Sequence, residues 1–103
     1  MSEPRIILSA RAEDDLKSIE LYVATEDGPV RSALVVARIS TTLSSLAFNP
    51  SIGRKRPELA SGDALFFPAS PWVIMYRPLR DLSGVRIIRI MHGRRDLGRA
   101  LRE

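Results

Sequence analysis

The sequence predicts an α+β domain in which a helical hairpin packs on one face of an antiparallel sheet, in the order β-α-α-β-β-β. Three observations carry this. Two stretches in the first half repeat their apolar residues at spacings of three and four, as one face of a helix does. Three stretches in the second half are short apolar or alternating runs bounded by Pro, Gly, Asp and Ser, as strands are. One further apolar run precedes the first helix. A chain of 103 residues buries one modest core, so residues 1–103 are expected to form a single domain.

Arg5-Ile6-Ile7-Leu8, between Pro4 and Ser9, reads as the first strand. Ser9 is a natural N-cap for a helix from about Ala10 to Thr25. Glu13, Asp14 and Asp15 lie near its first turn, where the helix dipole favours negative charge. Ala12, Leu16, Ile19 and Val23 form its apolar stripe. Asp27-Gly28-Pro29 breaks the chain, and Pro29 suits the first position of a second helix ending near Ala47. Val35, Ile39, Leu43 and Leu46 mark that helix's buried side, with Leu34 and Ala37 alongside. The break is short, so the helices are expected to be antiparallel.

Residues 49–63 read as a loop, with one possible helical turn at Glu58-Leu59-Ala60. Strands follow at Ala64–Phe67, ended by Pro68, at Trp72–Leu79, and at Val85–Met91. In the middle one, Trp72, Ile74 and Tyr76 share a face opposite Val73, Met75 and Arg77. In the last, Arg86, Ile88 and Ile90 alternate with Val85, Ile87, Arg89 and Met91. Both faces carry apolar residues, which predicts a central position in the sheet. A short helix is expected from Leu97 to Leu101.

The net charge of +4 is unevenly spread. Residues 1–53 hold five basic and seven acidic groups, whereas residues 54–103 hold eleven basic and five acidic. Fourteen of the sixteen basic residues are arginine, the side chain suited to bidentate recognition of carboxylate or phosphate. The second half is therefore expected to face something acidic, although solvation alone accounts equally well for any single Arg.

Several chemistries are excluded or unsupported. With no cysteine there are no disulfides, thiolate metal sites or Cys nucleophiles, which fits a reducing compartment. One histidine and scattered carboxylates make no metal-ligand set, and the glycines form no phosphate-cradling motif. No metal or cofactor is expected. Apolar runs such as Ala33–Ala37 are far too short to span a bilayer, and the N-terminus lacks a signal-peptide layout. The expected location is cytoplasmic, without a membrane partner.

What remains is a polar and basic set: Tyr76, Arg77, Arg86, Arg89, His92, Arg94 and Arg95. A ribonuclease could use His92 as acid or base, Arg77 and Arg89 for phosphate, and Tyr76 as a hydrogen-bonding or stacking partner. Against this, a lone His at a strand end is commonly structural, and Tyr76 shares a face with core residues. Arg89 needs a carboxylate partner if its face is covered and is a contact residue if it is open; the open face is the expectation. Arg54-Lys55-Arg56 is a basic loop run, equally a solvated segment or a binding one. Trp72 reads as core first and interface second.

Taken in order, Asn49-Pro50-x-x-Gly53-Arg54 with Pro57-Glu58-Leu59, then Val73-Ile74-Met75-Tyr76-Arg77, then Ile87-Ile88-Arg89-Ile90-Met91-His92-Gly93-Arg94-Arg95-Asp96, resemble the ParE/RelE toxins of type II toxin–antitoxin systems, the ending favouring the ParE branch. The resemblance covers about Ile6 to Leu97. It implies the RelE/ParE fold and a hetero-oligomer with a cognate, ParD-like antitoxin that neutralises the toxin. ParE-type members poison DNA gyrase by binding; RelE-type members cleave mRNA on the ribosome. A non-toxic interaction module is a third reading. The sequence departs from RelE-type nucleases in having only two lysines and no tyrosine after Tyr76. It departs from many ParE-like members in having Ala64 where an Arg is common.

Overall fold

The computed structural model describes residues 3–97. The elements are β1 (Arg5–Leu8), α1 (Ala10–Asp27), α2 (Pro29–Phe48), β2 (Leu65–Ala69), β3 (Trp72–Pro78) and β4 (Gly84–His92). The fold is α+β, in the order expected. The strands lie in one sheet, β1-β4-β3-β2, with β2, β3 and β4 antiparallel. β1 adds to β4 in parallel, which makes the sheet mixed. β4 is central, between β1 and β3. No helix among the described residues is long and apolar enough to cross a membrane.

Local chemistry sets the helix ends. The Ser9 hydroxyl accepts the Ala12 N–H at 3.0 Å and caps α1. Gly28, at φ +91°, ends α1 and begins α2 within one residue, and Pro29 follows as the first residue of α2. The first helix therefore runs two residues past the expected Thr25, up to the glycine itself. The Ser32 hydroxyl, buried between the helices, donates to the Glu20 carbonyl at 2.7 Å and ties the hairpin together.

The hairpin covers one sheet face. Ile19, Val23, Val35, Ile39, Leu43 and Leu46 meet Ile74, Tyr76, Val85, Ile87 and Ile90 in the main core. Leu34, expected beside this stripe, is instead 59% exposed. On the other face a smaller cluster of Phe66, Met91 and Leu97 gathers Leu59, Ala60, Val73 and Met75.

Two strand readings need correction. β2 continues through Pro68, which pairs with Val73. The Phe66 N–H points outward, to the Arg54 carbonyl at 2.8 Å. Two residues on, the N–H that proline lacks would also point outward, so the ladder with β3 loses nothing. In β4, Met75 pairs with Arg89 and Tyr76 with Ile87, so Ile88 is an extra residue. This bulge shifts the alternation by one. Ile90 joins Val85 and Ile87 over the main core, and Arg89 and Met91 turn to the opposite face.

Pro57–Leu59 forms a turn, with the Leu59 and Ala60 N–H groups both donating to the Arg56 carbonyl. Helical geometry begins again at residues 95–97; the remainder of the helix expected from Leu97 to Leu101 lies outside the described residues.

Candidate functional site

Three of the residues that a nuclease would use, Tyr76, Arg89 and His92, are tied to internal partners. Tyr76 is fully buried; its hydroxyl donates to the Pro50 carbonyl at 2.8 Å and accepts the Gly53 N–H at 2.8 Å. Burial pushes its phenol above the ordinary value of 10.0. It anchors the 49–63 loop to the sheet. Gly53 is required there, because a Cβ would stand 2.6 Å from the Tyr76 hydroxyl.

Arg89 does not stand on an open face as expected. Its Nε and Nη2 donate to the two carboxylate oxygens of Asp15 at 2.8 and 3.0 Å. That bond drives the guanidinium still further toward its charged form. The cause is topological. β1 pairs with β4 only as far as Leu8 opposite Ile87. Beyond it the edge of β4 is closed by the start of α1: the Ser9 hydroxyl donates to the Ile88 carbonyl at 2.8 Å, and Asp15 accepts the Ile90 N–H at 2.9 Å. Asp15 thus substitutes for a strand. The sequence showed its charge near the helix start but not this use, because the partner is 74 residues away.

The His92-Gly93-Arg94-Arg95-Asp96 ending is a reciprocal cap. His92 Nδ1 accepts the N–H groups of Arg94 and Arg95 at 3.2 and 3.3 Å, and Asp96 accepts the His92 N–H at 2.7 Å. This is the logic of a capping box with imidazole in place of a hydroxyl. An accepting Nδ1 carries its lone pair, so the ring proton sits on Nε2. The cap leaves Arg94 and Arg95 exposed. The Arg95 guanidinium lies 5.6 Å from the centroid of the Tyr22 ring on α1.

The remaining basic residues divide. Arg77 and Arg86 are exposed and directly opposite on β3 and β4, and Arg77 binds Asp63 at 2.7 Å. Arg54 is paired through its backbone to Phe66, so it extends the sheet edge and does not float in a loop. Arg56 meets Glu58 at 3.3 Å, and Lys55 is exposed. Trp72 is half-buried, packed against the main core and also lining a groove.

That groove, about 480 Å³, lies between the helical hairpin and the β3–β4 end of the sheet. Ile19, Val23, Val35, Ile39 and Ile90 form its floor. Tyr22 and Trp72 are its aromatic walls, and Arg31, Arg38 and Arg95 stand at its rim with Asp27 and Asp96. Sequence reasoning missed Arg31, Arg38 and Tyr22 as site residues. The seven-residue interval between the two arginines put them on one helix side, but only the packing shows that side bordering a groove. Among the described residues, no cluster of His, Asp or Glu could hold a metal ion.

A sequence model of the ParE toxin of type II toxin–antitoxin systems, parDE, matches residues 6–97. The chain belongs to the ParE toxin family. A Sinorhizobium fredii protein named "Putative toxin Y4kP" is 38% identical over 92 residues, covering 89% of this chain and 91% of that one. A chain from the chromosomal ParDE toxin–antitoxin system of P. aeruginosa superposes with a TM-score of 0.70 at 19% identity, covering 86% of this chain and 95% of that one, and so shares the fold. In this ParE-family member Ala64, where the resemblance expects an Arg, is buried at 3% exposure. The neighbouring Asp63 takes its cation from Arg77.

Proposed function

We propose that this ParE-family toxin acts in the cytoplasm by binding DNA gyrase and blocking replication, and that a ParD-like antitoxin neutralises it. The observation that supports a binding mode is the commitment of three of the four nuclease candidates to internal contacts. Tyr76 holds a loop, Arg89 holds α1 and His92 caps the last turn, while Arg77 is exposed beside Asp63. A general acid–base pair needs groups free to exchange protons with substrate. Here only His92 Nε2 remains, which argues against the alternative of ribosome-dependent mRNA cleavage.

The antitoxin's place is the groove between hairpin and sheet. Its apolar floor, aromatic walls and arginine rim suit an amphipathic segment with acidic residues at its margins. The test has two arms. Purified toxin should inhibit gyrase supercoiling or raise cleavage-complex levels, and the product of the neighbouring reading frame should co-purify with it and restore supercoiling. Unchanged supercoiling at large excess of toxin, together with mRNA cleavage in cells, would reverse the choice of target.

A further inference from the structure

The helix-free sheet face carries a charge arrangement that the binding groove does not explain. Arg77 and Arg86 sit directly opposite on adjacent antiparallel strands, both exposed. Side chains so placed lie roughly 5 Å apart at Cβ, and like charges there destabilise the pairing. One carboxylate, Asp63, answers them, through its 2.7 Å bond to Arg77. That bond, and further the charge of nearby Lys55, hold the Asp63 carboxyl below its usual range. Among the described residues no carboxylate lies within 4.0 Å of the Arg86 guanidinium or the Lys55 ammonium. Lys55 stands near Asp63, Asp63 binds Arg77 and Arg77 faces Arg86, so the three cations follow one another in a row around one anion.

A row of cations that repel one another in the free protein is relieved by a ligand presenting a row of anions. A protein partner of high affinity would also need an apolar or aromatic anchor buried at the centre of its contact. The apolar side chains beside the row are already packed into the fold: Phe66 and Met75 in the small cluster, Phe67 and Tyr76 in the main one. A phosphodiester backbone needs no such anchor, and arginine matches its oxygens.

We propose that Lys55, Arg77 and Arg86 form a docking row for the phosphate backbone of duplex DNA. This goes beyond the gyrase reading, since the free toxin would bind DNA with no gyrase present.

Fluorescence anisotropy with a labelled 20-base-pair duplex, titrated with purified toxin between 50 and 200 mM salt, tests it. Binding should weaken steeply with salt. Arg86→Gln and Lys55→Gln should each make the slope of log affinity against log salt shallower by about 0.9. Arg86→Lys should keep the slope, and Lys17→Gln, at an exposed position of the helical hairpin, should leave it unchanged. Circular dichroism checks that each variant is folded. No binding at 50 mM salt, equal slopes for wild type and Arg86→Gln, or binding to a polyglutamate peptide but not to DNA would each overturn the proposal. Loss of DNA binding with gyrase inhibition intact would leave the toxin reading standing, so the two can fail separately.

Discussion

Asp15 of α1 holds Arg89 of β4 through two hydrogen bonds of 2.8 and 3.0 Å while also accepting the Ile90 N–H at 2.9 Å. One carboxylate therefore closes the strand edge that β1 leaves open and fixes the hairpin on the sheet. Asp15→Ala should destabilise the fold by about 2–3 kcal/mol, since it strands a half-buried cation and a backbone donor. Arg89→Ala should be milder, and the double variant should lose less than the sum. Urea denaturation of the three variants measures this. Strict additivity would show that the pair is not coupled.

Tyr76 ties residues 50 and 53 to the sheet through one hydroxyl. Tyr76→Phe leaves the Gly53 N–H and Pro50 carbonyl without that partner and should lower stability by about 1–2 kcal/mol. The pH response has a defined sign. Burial raises the folded-state phenol above its value of 10.0, so ionisation favours the unfolded chain. The contribution is complete below pH 10 and is lost as the pH rises through the folded value. Thermal melts from pH 8 upward should show an alkaline loss that is reduced in Tyr76→Phe.

The cap at His92 separates a structural from a catalytic imidazole. Asn can accept N–H groups as a cap but cannot act as an acid or base at neutral pH. His92→Asn should therefore keep growth arrest on induced expression, whereas His92→Ala should cost about 1 kcal/mol of stability and weaken it. If His92→Asn is stably folded yet harmless, and mRNA survives only in that strain, the nuclease reading gains and the binding reading falls.

Gly84 begins β4 at φ +157°, where an added Cβ would meet the Arg5 carbonyl oxygen. Parallel pairing of β1 needs this bare backbone. Gly84→Ala should destabilise by at least 2 kcal/mol, on the order of an overpacked core. Hydrogen exchange should show the loss first at the amides of β1. Uniform protection across β1 in that variant would show that the strand pairs without the glycine.

Both helices, the order of elements along the chain and the central place of β4 were legible because they rest on local periodicity and on punctuation by Ser9, Gly28 and Pro29, whereas the parallel pairing of β1 was not. Family membership was legible for a related reason: several weak motifs fall in one order over most of the chain. The far half of β4 was not legible. A bulge at Ile88 moves Arg89 to another face, and no run of nine residues announces where its partner strand drops one. Pro68 misled because its effect depends on which side of the strand its nitrogen faces.

The sequence by itself determined an α+β domain of the ParE family with its positive charge gathered in the second half, since propensity, spacing and charge are properties of neighbours along the chain. Tertiary structure alone decided what His92, Tyr76, Arg89 and the facing pair Arg77 and Arg86 do. The first three are partnered by the Arg94 and Arg95 amides, Pro50 and Asp15, and Arg77 by Asp63. Apart from the His92 turn, those contacts are made across the fold, where a side chain's role is set by the distance and direction of a group that lies far away in sequence.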